Sequence, residues 1–380
     1  MLKFIYENHK ERLLKNTLLF YLKLETNSLK HRFIVVFLLL LPLFFVFIQK
    51  NVTETVAAIA QARLSSIDIA LQSYQKIDLT DVENTDERYL SLTDQSNALA
   101  TMTQSAMLEN RQRYLSASID YGEKMETFYE QYAAESDQSL FPKQAKVVQE
   151  TSEFTQVLAK SKEFHWNQQG FSDYWKTVFL LYGALLFYLT VFWSADLFLS
   201  EVKRPQFSNS LPFRKRDRIF IPIIIRLVIC TIGTSLFLIS AVFCSFFFDH
   251  VDFSYPFAYW LREIQAVEFL LFLLLYYLMT IVITGFVICL TSFIFTVTKD
   301  VLQTCLLASL LGALPLIVPS RIWLLTPFQF LNVFQLLQGD YAFASDWSFY
   351  SFYFALILLL IYTVALFWLT TQRLKGGLRK

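Results

Sequence analysis

Six stretches of this chain are nearly free of charge and about as long as a bilayer is thick. They run over Phe33 to Val52, Tyr174 to Ser200, Ile219 to Phe248, Phe269 to Val297, Val301 to Pro319 and Phe349 to Leu369. A helix needs roughly 20 apolar residues to cross about 30 Å of hydrocarbon. Lipid admits only backbone whose hydrogen bonds close within the segment or within a barrel. The runs therefore predict an all-α polytopic membrane protein with six transmembrane helices. Composition agrees, because only 17% of residues are charged, whereas about a quarter is usual for a soluble domain. The chain carries 39 Phe but only nine Gly and nine Pro. No secretory signal peptide is expected, since the first apolar run begins at Phe33 and no small-residue cleavage site follows it.

Cations beside the spans predict the orientation. Residues 1–32 hold Lys3, Lys10, Arg12, Lys15, Lys23, Lys30 and Arg32. The connector over 201–218 holds Lys203, Arg204, Arg214, Lys215, Arg216 and Arg218, and the tail over 370–380 holds Arg373, Lys375, Arg379 and Lys380. The alternate connectors, from His250 to Glu268 and from Ser320 to Trp347, offer only Arg262 and Arg321. Both termini are thus expected in the cytoplasm of a cell, and the bacterial plasma membrane is the expected location.

This orientation places residues 53–173 outside. The segment is acidic on balance, with glycine only at Gly122 and Gly170 and proline only at Pro142. So few breakers imply long helices. Val56, Ala60, Leu64, Ile67, Leu71 and Tyr74 step by threes and fours along one face. A second helix is expected from Glu87 to about Ala134, and a third after Pro142. The predicted result is a helical hairpin or small bundle standing on the first two spans, as a ligand-binding domain or a rigid stalk. In the leader, Leu14, Leu18, Tyr21, Leu22 and Leu29 alternate with cations, which suits an amphipathic helix lying in the cytoplasmic interface among membrane lipids or plain topogenic charge.

Ionisable residues are scarce inside the spans. Lys176, Asp196, Arg226 and Glu268 lie near span ends, where long side chains reach the interface. Arg226 is expected to snorkel or to pair with an acid rather than line a cavity. A coupled-ion transporter usually buries such groups at mid-membrane, so that class is disfavoured. No GxxxxGK[ST] loop occurs, so ATP would have to be used by a partner. Cys230, Cys244, Cys289 and Cys305 all fall within spans, and no disulfide framework, metal site, bound cofactor or catalytic residue is expected. Nothing in the chain suggests a nucleic-acid partner.

The order of these parts resembles that of ABC-2 type transporter permeases. Glu201 followed by "LPFRKRDRI", through Leu211, Pro212, Arg216 and Ile219, is similar to the family's acid, Leu-Pro step, basic stretch and start of the third span. The chain departs from that pattern in reading Lys203, Arg204, Pro205 and Gln206 where a Gly is common. "LLTPFQFLNVFQLLQGD", with Pro327, Phe328 and Gly339, resembles the re-entrant segment between the last two spans, here 320–347.

The resemblance implies an exporter subunit that is not itself an enzyme. Two permease chains, alike or different, would each contact one subunit of an ABC ATPase dimer holding ATP and Mg. Connector residues Glu201, Phe207, Leu211, Pro212, Phe213, Arg214, Arg216 and Arg218 would form the coupling helix that docks on it. Cargo would be amphipathic or hydrophobic and move outward: a peptide or antimicrobial, a drug or a lipid-like molecule, with bacteriocin or multidrug resistance as the setting. The acidic insertion favours cationic peptides by long-range charge. The alternatives are a membrane sensor whose helical external domain binds ligand, and a membrane-embedded enzyme. The sensor lacks an output domain after the second span. The enzyme lacks a cluster, because His9 and His31 fall on one side and His165 and His250 on the other.

Overall fold

The computed structural model describes residues 28–52, 54–75, 82–132, 141–167, 169–199, 215–248, 250–317, 325–345 and 352–377. Its helices are α1 Leu29–Lys50, α2 Val56–Gln75, α3 Val82–Met107, α4 Arg111–Tyr132, α5 Gln144–Ala159, α6 Phe171–Ser194, α7 Lys215–Ser245, α8 Phe269–Thr298, α9 Val301–Ile317, α10 Val333–Gln338, α11 Asp340–Ser345 and α12 Phe352–Gly377. A hairpin of β1 Pro256–Trp260 and β2 Ile264–Glu268 lies between α7 and α8.

Five helices are long and apolar enough to cross a membrane: α1, α6, α7 over Ile219–Ser245, α8, and α12 over Phe352–Leu374. They carry exposed faces of Phe, Leu and Ile, among them Phe33, Phe44, Phe47, Phe243, Leu270 and Ile361. Such faces are stable only where the surrounding solvent is itself apolar. The chain is accordingly a multi-pass membrane protein. The expected fifth span is shorter: α9 covers 17 residues, about 25 Å at the usual rise, and 318–324 lie outside the described residues.

The centre of the bundle is aromatic. Trp175 and Phe179 of α6 meet Phe269, Phe272 and Tyr276 of α8, with centroids 4.7 Å apart for Trp175–Phe269 and 4.6 Å for Phe179–Tyr276. Each well-placed ring pair adds about 0.5–1.5 kcal/mol beyond its area burial. Polar bonds also cross between helices: Tyr182 of α6 and Thr234 of α7 share one of 2.9 Å, and Ser194 of α6 and Thr291 of α8 one of 2.8 Å. All four cysteines are free, and Cys230, Cys244 and Cys289 are buried, so a thiol-reactive dye reports unfolding.

Helices α2 to α5 form a four-helix bundle between α1 and α6, each packed on the next. Ala60 and Ile67 of the predicted face are buried in it, with Leu64 and Leu71 partly covered. One expectation is corrected here: the long helix over 87–134 is two antiparallel helices. Glu109 takes a left-handed φ of 51°, and the Asn110 side chain then accepts from Arg113 N at 3.2 Å. Asparagine is among the best residues for starting a helix in this way. The hairpin also departs from a purely helical chain. All five β1 residues are buried, so they read as a short apolar run that no period distinguishes.

Two short backbone segments fasten the bundle to the spans. Val56 N donates to Trp166 O at 3.0 Å, and Gln169 Nε2 donates to Lys50 O and Val52 O at 3.2 and 2.8 Å. The segment before α12 opens with a 3-10 turn, Pro327–Phe330, and ends α10 at Gly339. Gly339 has φ 82°, and a Cβ there would lie 2.8 Å from Trp260 Cβ. Left-handed strain alone costs about 1–3 kcal/mol. Gly339→Ala is expected to lower the midpoint of dye-detected unfolding by at least that equivalent, whereas Gly285→Ala, whose Cβ meets nothing nearer than 3.9 Å, serves as the mild control.

Candidate functional site

Of the residues the sequence assigns to a coupling helix, Glu201, Phe207, Leu211, Pro212, Phe213 and Arg214 lie outside the described residues. Arg216 and Arg218 fall on the first turn of α7. What the structure describes is the anchorage on both sides of that connector. Arg226, only 2% exposed, donates to Asp196 Oδ1 at 3.2 Å and to the main-chain oxygen of Trp193. Lys30, at the start of α1, reaches Asp196 Oδ2 at 3.0 Å and sits over the Phe192 ring at 4.9 Å. One carboxylate thereby joins α1, the end of α6 and the first part of α7. Burial alone would raise the Asp196 carboxyl, but Arg226 and then Lys30 outweigh it and hold it below its ordinary range. The expectation that Arg226 pairs with an acid is met, with Arg226 buried and Asp196 partly exposed.

A second site lies at the other end of α6. A cavity of about 480 Å³ separates the base of the four-helix bundle from the ends of α1 and α6. Three helices line it at helical spacing: Val56, Ile59, Ala60 and Arg63 from α2; Lys146, Glu150, Glu153 and Phe154 from α5; Asp173, Lys176, Thr177 and Leu180 from α6. Its charges are ordered. Arg63 meets Glu150 at 2.7 Å, and Lys176 meets Glu153 at 2.5 Å. Burial would lower the Arg63 guanidinium, yet the Glu150 carboxylate more than compensates and raises it. Glu153 is 1% exposed, and its other oxygen accepts from Ala258 N of β1 at 3.0 Å. Asp173 accepts from Gly170 N at 3.3 Å. Lys146 is exposed at the rim.

Sequence reasoning named Lys176 only as a residue near a span end and passed over the others. Lys146, Glu150 and Glu153, at i, i+4 and i+7, look like an ordinary solvated stripe, and only packing turns that stripe inward.

The segment expected to be re-entrant joins this region. Phe328 meets Phe286 edge-on at 5.8 Å, Pro327 opens the 3-10 turn, and Phe334 stacks on Phe179 at 6.0 Å. Gln149 of α5 donates to Gln338 O and Asp340 Oδ1 at 2.9 and 2.8 Å, on either side of Gly339. Pro327 and Gly339 are thus buried, and Phe328 partly so, in a cap packed beside α6 and α8. When the chain is compared with models of protein families, with curated proteins and with solved structures, nothing similar is found.

Proposed function

We propose that the chain is the permease subunit of an ATP-driven ABC-2 type exporter. It has six spans, both termini in the cytoplasm, and the α2–α5 bundle outside. A separate ATPase dimer drives it, a second permease chain completes the path, and an amphipathic cargo moves outward. The observation that carries this reading is the Lys30–Asp196–Arg226 cluster. In the chain, the basic connector lies between Asp196, just after α6, and Arg226 of α7. A push on the connector would reach α1, α6 and α7 together, since the ion pair on the buried Arg226 resists separation of their ends. Rocking of such a unit is a standard route from motor closure to pore movement. The cations gathered beside these same ends support a cytoplasmic placement.

Docking would seat Phe207, Leu211, Pro212 and Phe213 in an apolar groove on the ATPase, with Arg214, Arg216 and Arg218 at its acidic rim or on lipid headgroups and Glu201 at the start of the turn. Two buried anchors worth about 2 kcal/mol each correspond to roughly a thousandfold in affinity. Leu211→Asp with Phe213→Asp is therefore expected to abolish co-purification of the ATPase while membrane insertion is unchanged. Undiminished co-purification, or an external location for a tag in the connector, overturns the reading. A sensor would bind ligand at the α2–α5 bundle without any ATPase, and the same co-purification separates the two.

A further inference from the structure

The cavity above α6 has a composition that ordinary voids lack. A dry packing defect is lined by apolar groups, whereas a ligand site joins apolar walls to a few placed polar groups. This one joins such a wall to three cations and three carboxylates. Four of the six are closed into Arg63–Glu150 and Lys176–Glu153. That leaves one cation, Lys146, and one carboxylate, Asp173, which form no ion pair among the described residues; Asp173 accepts from the Gly170 amide and its own, with Lys176 and His165 nearby. A ligand bearing one charge of each sign would complete both without stranding either closed pair.

Leu180 shows how such a ligand would arrive. It lines the cavity yet is 39% exposed. It also begins a stripe of exposed residues, Leu180, Ala184, Tyr188 and Phe192, spaced by four along one face of α6. The cavity floor therefore continues into a face that lipid would solvate. A volume of about 480 Å³ falls within the usual range of small-ligand sites, about 300–1,000 Å³. It suits a headgroup and leaves long alkyl chains outside, along the stripe.

We propose that this chamber binds the headgroup of a zwitterionic amphiphile carrying a phosphate and an ammonium, the phosphate toward Lys146, the ammonium toward Asp173, and the chain lying past Leu180. Its role as a cargo site rests on the permease reading. The binding itself does not, so loss of the ATPase partner would sink that reading and leave this one standing.

The test uses the full chain in nanodiscs of phosphatidylglycerol. A fluorescent short-chain phosphoethanolamine amphiphile is the probe, and amphiphiles of the same tail with a phosphoglycerol or trimethylammonium head compete. Saturable binding at least about tenfold tighter than either singly charged head is expected, a difference of about 1.4 kcal/mol. Lys146→Glu, at an exposed position, should weaken the probe about tenfold or more. Leu180→Trp should weaken the tailed probe and spare tail-less glycerophosphoethanolamine. Displacement by diacyl phosphatidylethanolamine in the disc would identify the bilayer as the source, and displacement by single-chain lipid alone a free amphiphile. Equal binding of the three heads, binding unchanged in both variants, or tighter binding of a cationic amphipathic peptide that Lys146→Glu leaves intact would each overturn the proposal.

Discussion

Asp196→Leu is expected to be among the most damaging single changes in the protein, because it takes a carboxylate away from a guanidinium that has almost no access to water. Arg226 keeps its bond to the Trp193 carbonyl, but a neutral oxygen does not replace a carboxylate. Removing one partner of a buried pair typically costs about 3–5 kcal/mol. Asp196 is itself 26% exposed, which points to the lower end of that range. Dye labelling of the buried cysteines on heating should show the loss directly. Adding Arg226→Met to Asp196→Leu should recover most of it, since an apolar pair of similar volume often matches a buried ion pair. A double variant no more stable than the single would mean that the pair contributes little.

The same cluster sets a pH dependence. The folded Asp196 carboxyl sits below its ordinary value, so its contribution is complete above the unfolded value of about 4 and disappears as pH falls through the folded one. Unfolding temperature should therefore drop between about pH 5 and pH 3 more steeply in the parent than in Asp196→Leu. Parallel profiles would exclude the cluster as the cause. In the exporter reading, the loosened ends of α1, α6 and α7 should also uncouple ATP hydrolysis from cargo movement.

Glu153→Leu is the second large effect expected. It removes both the ion-pair partner of Lys176 and the acceptor for the Ala258 amide, leaving a buried N–H unsatisfied. An unpaired buried donor alone costs about 1–3 kcal/mol, and the lost ion pair adds to it. Amide exchange at Ala258 should accelerate on the order of a hundredfold, as expected for a local loss of about 3 kcal/mol. Glu153→Gln keeps an acceptor for that amide and should show a smaller acceleration. Equal acceleration in the two variants would assign the whole effect to charge; no acceleration in either would remove Glu153 from the junction between α5, α6 and β1.

Much of the fold is legible in the residues. Phe269 to Val297 predicts α8 almost to the residue, because a run that long without a charge has one way to satisfy its backbone in lipid. The spacing of Val56, Ala60, Leu64 and Ile67 predicts α2 for the same kind of reason. The site is far less legible. Lys146, Glu150 and Glu153 have nothing in their spacing to separate them from a hydrated face, and β1 is too short and too uniformly apolar to declare its period. The break at Glu109 rests on one residue's left-handed backbone and an asparagine cap, against a background of strong helix formers.

Local chemistry along the chain was enough to settle that it crosses a membrane repeatedly, that few charges lie in the spans, and that a helical insertion follows the first of them. Those properties depend on hydropathy and backbone hydrogen bonding, which act over a few turns at most. Which carboxylate faces Arg226, which stripe of α5 turns inward, and where the cavity opens were decided only by the packing of helices far apart in sequence. A charge has no fixed environment until its neighbours are placed, and burial and pairing are properties of that placement.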